Sequence, residues 1–330
     1  MKQLFDYLWN SKWVLALSAG ILLGISYPPF PLPFLVFPAF VLVFRIVDLS
    51  QTAREAAYWT YPAFVIWNLI ATYWLMMATL GGGIAAILAN AAVMTVPVML
   101  QHLCSKHKMK SWLIALLQAA CWLSYEFLHH QWDLAWPWLS IGNAWANVPQ
   151  LVQYISVTGY WGISFWVLFA SALAYQVIKT NSRTTKVAFG IVLFIFPVWS
   201  VSISLVSQPT ETDRKHEVAV AQPNFNSYQL YGGFGSPLQA KDHWRKLTDS
   251  VRTPETQLVV WPENAIQADM SNLNPFSDVA ADTRILLRKK ASEWNATLLT
   301  GATYYEYFIE VQDPPLAYQS DHLTYLPYNA

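Results

Sequence analysis

The sequence predicts a polytopic α-helical membrane bundle over residues 1–210, followed by an α/β domain over residues 211–330. Three observations predict it. Only 12 % of the 330 residues are charged while 55 % are hydrophobic, whereas a water-soluble domain carries roughly 25 % charged residues. Charge is also unevenly divided: residues 1–210 hold ten Lys/Arg and five Asp/Glu, and residues 211–330 hold ten and fifteen. A formal net charge of zero therefore conceals a basic first part and an acidic second part. Hydropathy changes at the same place, which sets a domain boundary near 207–213. No basic patch with interleaved aromatics occurs, so nucleic acid is excluded as a partner.

The helices follow from the uncharged runs. Residues 13–44 carry no charge, but Pro28, Pro29, Pro31 and Pro33 break them into a tight hairpin, 12–27 and 33–49. Each leg is near or below the ~20 residues of a straight span. Residues 56–105 lack Asp, Glu, Lys and Arg, and Gly81-Gly82-Gly83 divides them into helices of about 57–79 and 83–104. A fifth helix covers about 111–130, a sixth 156–178 and a seventh 187–206. Between the fifth and sixth, residues 131–154 contain Trp136-Pro137-Trp138, Asn143, Asn147 and Pro149 and read as an irregular interfacial loop. Non-helical backbone at that depth needs partners in protein or a cavity, so this loop should lie over the bundle.

Orientation follows from the positive charges. All ten Lys/Arg of the first part lie before the first helix or in every second connection. The connections 28–33, 80–83 and 131–155 contain none. The N-terminus is then cytoplasmic, and after seven spans residue 211 emerges outside the cytoplasm. The start is not a cleavable signal, because Tyr27-Pro28-Pro29-Phe30 follows the first apolar run where small residues would be needed. Cys104 and Cys121, the two cysteines, both fall in the apolar part and read as small buried hydrophobes rather than a disulfide framework.

Glu126, His129 and His130 share one face of the fifth helix near its outer end, with Asp133 beyond them. Ionisable residues at membrane depth are functional candidates. This set raises the question of a metal, but a structural hydrogen-bonding role or the lining of a lipid entry is the stronger expectation, and no metal is assigned.

In the second part, residues 217–222 read as a strand ending at Gln222-Pro223-Asn224, 237–252 as a helix, 257–261 as a strand, 276–294 as a helix and 296–301 as a third strand. Residues 322–330 form a possible fourth strand, and a chain that stops inside a strand is expected to be a fragment. Alternating strands and helices argue for an α/β layer fold. Chemistry in such sheets collects at the carboxyl ends of the strands. Asn224, Glu263 and Gly301 all fall there. The stretch Leu258-Val259-Val260-Trp261-Pro262-Glu263 is thus a buried strand closed by a Trp-Pro step and a single carboxylate. A glutamate after a strand is ordinarily a solvated loop residue; at this position it is also a candidate general base.

These residues resemble a known family. Glu126, Pro137-Trp138-Leu139 with Gly142, Gly159 with Gly162-Ile163-Ser164-Phe165-Trp166, Val218-Ala219-Val220-Ala221-Gln222-Pro223-Asn224, Trp261-Pro262-Glu263, Leu299-Thr300-Gly301 and Tyr328-Asn329 occur in the order seen in the apolipoprotein N-acyltransferases. These are bacterial inner-membrane, multi-pass enzymes of the carbon–nitrogen hydrolase (nitrilase) superfamily. The resemblance implies a four-layer αββα domain, of which 211–330 would be the N-terminal, incomplete part, in the periplasm. It implies a Glu–Lys–Cys triad that takes an acyl chain from phospholipid as a thioester. The chain is then passed to the N-terminal diacylglyceryl-cysteine amine of an apolipoprotein. The membrane, a phospholipid donor and an apolipoprotein acceptor are the expected partners of a monomer without cofactor. Glu263 matches the catalytic glutamate; partial burial beside Trp261 would suit a base. Tyr228, Tyr231, Trp261 and Glu126 are candidate substrate-binding residues.

The triad's lysine and cysteine have no counterpart here. Lys289 and Lys290 precede the third strand, and the two cysteines lie in the bundle. Both catalytic residues, and an eighth helix, are expected beyond Ala330, so these 330 residues alone are expected to be inactive. The alternatives are a nitrilase-like membrane amidohydrolase and a non-catalytic membrane protein whose α/β part binds a partner.

Overall fold

A computed structural model describes residues 2–206, 215–222, 233–263, 265–269, 278–308, 318–320 and 323–329. The chain forms two compact units, Met1–Pro209 and Thr210–Ala330.

The first unit is helical: α1 (Lys2–Asn10), α2 (Lys12–Ile25), α3 (Val36–Leu49), α4 (Ala53–Thr72), α5 (Leu75–Ala78), α6 (Leu80–Val93), α7 (Thr95–Ser105), α8 (Ser111–His129), α9 (Ile155–Thr158), α10 (Trp161–Thr180) and α11 (Arg183–Val206). Among the described residues four helical runs are long and apolar enough to cross a membrane: Leu80–Ser105, Ser111–His129, Trp161–Thr180 and Arg183–Val206. The other three expected spans differ for identifiable reasons. Helices α2 and α3 have 14 residues each, about 21 Å at 1.5 Å per residue; the proline-rich turn between them leaves no room for more. Helix α4 is 20 residues long, but its buried face carries Thr60, Asn68 and Thr72. Their side chains bond within the bundle, Thr60 to Ala56 O at 2.8 Å, Asn68 to Phe64 O at 2.8 Å and Thr72 to Asn68 O at 2.6 Å. Interior polarity lowers its hydropathy without exposing it to water.

The triple glycine does not end a helix. Thr79 caps α6 by accepting from Gly82 N at 2.9 Å, so Gly81, Gly82 and Gly83 form its first turn. The preceding helix stops earlier, at Thr72, and α5 supplies the connection.

The bundle core is aromatic. Trp67 stacks on Trp122 with ring centroids 6.2 Å apart, and Phe40 meets Trp122 edge-on at 5.0 Å. Helices α2 and α4 pack so closely that a Cβ on Gly20 would lie 2.6 Å from Ala63 O, and one on Gly24 would lie 2.6 Å from Ile70 Cβ. At the end of α2 away from Tyr27, the charges pair: Lys12 with Glu55, and Asp48 with both Arg45 and Lys179.

The second unit contains β1 (Glu217–Val220), α12 (Pro237–Val251), β2 (Thr256–Val260), β3 (Ile266–Asp269), α13 (Asp278–Trp294), β4 (Thr297–Leu299), β5 (Ala302–Phe308), β6 (Tyr318–Ser320) and β7 (Leu323–Asn329). Strands β1, β2 and β4 form a parallel sheet with β2 in the centre. A second sheet has the order β3-β5-β7-β6, parallel between β3 and β5 and antiparallel in the hairpin-like pairs β5–β7 and β7–β6. Crossover helices explain the parallel pairs, since a β-α-β connection returns the chain in the same direction.

Among the described residues the parallel sheet is covered on one face only. Ala219, Ala221, Val259, Trp261, Trp244 and Trp294 form a core with the helices. On the opposite face Val218, Val220 and Leu299 are 45, 66 and 59 % exposed, and Leu258 and Val260 are half-buried. Strand periodicity of two produces this division, and it leaves an apolar sheet face open.

Candidate functional site

Glu263 stands at the carboxyl end of the central strand. Three backbone bonds build the platform beneath it: Ala221 N to Val260 O at 2.9 Å, Trp261 N to Leu299 O at 2.8 Å, and Gly301 N to Pro262 O at 3.3 Å. Ala265 N then donates back to Pro262 O at 3.3 Å, closing a turn that carries Glu263 at its second position. The carboxylate is exposed there. The ends of β1, β2 and β4 meet at this mouth, the location that parallel sheets use for chemistry.

Trp261 serves a different surface. It is buried under the helices, donates from Nε1 to Thr248 Oγ1 at 2.9 Å and stacks on Trp244 at 6.0 Å. Its ring thus supports the strand that presents Glu263. Tyr228 and Tyr231 lie outside the described residues, as does Asn224. Cys104 and Cys121 are in the helical unit, Sγ to Sγ 3.9 Å apart on α7 and α8.

A second polar centre lies at the carboxyl-terminal end of α8. Glu126 is buried, 3 % exposed. Its Oε1 accepts from Ile141 N at 2.9 Å and from Trp122 Nε1 at 3.2 Å. His130 contacts Ser140 Oγ through Nε2 at 2.9 Å and Tyr160 OH through Nδ1 at 2.7 Å. Tyr27, from the end of α2, donates to Leu139 O at 3.0 Å and Ser140 O at 3.1 Å. Three side chains from two helices therefore converge on the tripeptide Leu139-Ser140-Ile141, and they hold the Trp-rich loop to the bundle. That loop is built of short 3-10 turns, Pro137–Leu139, Ile141–Trp145 and Pro149–Leu151.

His129 belongs to another chain of bonds. The Trp132 indole N–H donates to its Nδ1 at 2.9 Å. An indole only donates, so Nδ1 is the acceptor, and Nε2 supplies the proton to Asn90 Oδ1 at 3.1 Å. Asn90 Nδ2 in turn donates to Asn68 Oδ1 at 2.8 Å. Glu126, His129 and His130 thus share a helix face yet point to separate partners. No group of three His, Cys, Asp or Glu side chains among the described residues is arranged to hold a metal. A cavity of about 10 Å³ lies between Asn90, Glu126, His129 and Ser140, the size of one water. On the outer flank, Val93, Val96, Leu100, Leu128, His129 and Trp132 line an apolar groove of about 310 Å³ along α7 and α8.

Sequence reasoning located Glu126, His129 and His130 but not Tyr27, Asn90 or Tyr160. Those three are uncharged residues in apolar runs, and only their interior location marks them.

Residues 19–173 match the profile of the apolipoprotein N-acyltransferase N-terminal domain. The chain is related to the apolipoprotein N-acyltransferases. It is 29 % identical over 307 residues to the apolipoprotein N-acyltransferase of Chlorobaculum tepidum, covering 89 % of this chain and 56 % of that protein. The match to the Rickettsia prowazekii enzyme of the same name is 24 % over 308 residues, covering 87 % and 57 %, and to that of Pseudomonas syringae pv. tomato 25 % over 308 residues with the same shares. The chain spans a little over half the length of these relatives.

Proposed function

We propose that this protein transfers a fatty acyl chain from phospholipid to the N-terminal diacylglyceryl-cysteine amine of apolipoproteins, with Glu263 as general base. The observation that carries the reading is the position of Glu263 at the carboxyl end of the central parallel strand, on a turn fixed by backbone bonds from both sides, in a chain related over 89 % of its length to an apolipoprotein N-acyltransferase. A base at that mouth takes the proton of a thiol as it attacks the acyl ester and returns it to the departing lysophospholipid oxygen, then takes a proton from the acceptor amine as it attacks the thioester and returns it to the released thiol. The groove along α7 and α8 suits an acyl chain arriving sideways from the bilayer.

The same reading gives the second unit an αββα architecture. The open face of Val218, Val220 and Leu299 supports it, because a second sheet layered there would bury these side chains. It also gives the bundle seven crossings in the bacterial inner membrane, N-terminus inside and residues 211–330 outside. The ten-to-zero Lys/Arg bias supports that topology.

On this reading residues 1–330 carry the base, while a nucleophilic cysteine and its lysine come from a counterpart of the relatives' further length. Phospholipid with a labelled acyl chain tests it. Residues 1–330 alone should trap no hydroxylamine-sensitive label, and a thioester on Cys104 or Cys121 would overturn the assignment. Turnover of soluble amides without acyl transfer would favour a membrane amidohydrolase instead.

A further inference from the structure

The helix layer of the second unit carries a groove of about 200 Å³ whose lining includes Leu238, Leu286 and Trp294 together with Lys241, Arg245 and Lys290. Apolar side chains here are not tucked away: Leu238 and Leu286 of the lining are 66 and 37 % exposed, and Ile285 of the same layer is 65 % exposed. Charge is sorted in the same direction. Helices α12 and α13 hold seven Lys/Arg and five Asp/Glu, whereas the rest of residues 211–330 hold three and ten. Three of the layer's five acids are engaged by neighbouring cations, Asp242 by Arg245 and Lys246, Asp249 by Arg245 and Arg252, and Glu293 by Lys290. An acidic unit thus presents one net-basic surface, studded with exposed aliphatic side chains.

We propose that the α12–α13 layer rests on an anionic lipid surface, with Leu238, Ile285 and Leu286 entering the headgroup region and Lys241, Arg245 and Lys290 meeting lipid phosphates. Apolar tips ringed by Lys and Arg are the chemistry of interfacial binding. The groove is too small for a helix, whose diameter is about 10 Å or more, but it accepts single headgroups. Tethering favours the bilayer over a soluble acidic partner. Only residues 207–216 separate the end of α11 from β1, a reach of at most about 35 Å. The inference rests on α11 lying in the membrane and not on acyl transfer.

The test uses the full chain in lipid nanodiscs, with a nitroxide at Ile285→Cys in a Cys104→Ser/Cys121→Ser background. Collision with oxygen and with a water-soluble nickel chelate is read by power-saturation spectroscopy. In phosphatidylglycerol discs at low salt the label should show severalfold less nickel access than in phosphatidylcholine discs, and about 0.5 M salt should abolish the difference. Nickel access equal in the two lipids, whether high or low, would overturn the proposal. A second label at Ile195→Cys, exposed on α11, reports separately whether that helix is in lipid.

Discussion

Oε1 of Glu126 accepts the backbone N–H of Ile141 at 2.9 Å, across a gap of fifteen residues. The bond joins the carboxyl-terminal end of α8 to the loop that leaves it, and it gives a carboxylate buried in the helical unit a holding role that its charge alone does not reveal. Removing the acceptor strands two buried donors, Ile141 N and Trp122 Nε1, each costing about 1–3 kcal/mol. Glu126→Ala should therefore destabilise the bundle by about 2–6 kcal/mol, whereas Glu126→Gln, which keeps an acceptor oxygen, should cost about 1 kcal/mol. Thermal unfolding in detergent measures both. Equal losses for the two variants would show that the charge, not the acceptor, matters.

The thiols of Cys104 and Cys121 lie 3.9 Å apart on neighbouring helices. Copper phenanthroline should join them as an intramolecular disulfide, the two thiols giving up two protons and two electrons to the added oxidant. Protease cleavage between α7 and α8 then leaves the fragments linked until reduction. Fragments that separate without reductant would contradict the packing of α7 on α8.

Gly20 faces the backbone of α4, where an added Cβ would meet Ala63 O at 2.6 Å. Gly20→Val should force α2 and α4 apart and cost about 1–3 kcal/mol. Gly190, with nothing within 4 Å of such a Cβ, is the control. Gly190→Val should unfold within a degree or two of the parent, and a loss equal to that at Gly20 would argue against close α2–α4 packing.

The hydroxyls of Thr253 and Thr256 donate to Glu217 and hold its carboxyl below the ordinary value, and Lys246 and then Arg245 do the same for Asp242. A depressed folded-state pKa contributes stability above the unfolded value that disappears as pH falls through the folded one. The second unit should therefore lose amide protection as pH falls below about 4. Glu217→Gln should flatten part of that decline, and an unchanged profile would refute the contribution of Glu217.

Much of this architecture was legible because it rests on local chemistry. Long apolar runs with few charges marked α6–α7, α8, α10 and α11, and the Val-Val-Trp-Pro step marked the end of β2. Nonlocal structure was not legible. Thr60, Asn68 and Thr72 read as polarity in a helix until their interior bonds are seen. Strand β3, directly after the turn, was missed because Ile266–Asp269 is short and half polar. Of the candidate site, Glu263 was read from its strand, while the clasp of Tyr27 on Leu139 and Ser140 spans more than a hundred residues and leaves no local pattern.

The central claim is that Glu263 is the base of an acyl transfer. Its direct test is transfer of a labelled acyl chain from phospholipid to a diacylglyceryl-cysteine peptide in membranes of the cell that makes the protein, with Glu263→Gln as the sole change. General-base catalysis contributes about 10²–10⁴-fold, so the variant should lose that much activity while remaining in the membrane at parental levels. Transfer at the parental rate by Glu263→Gln would contradict the account.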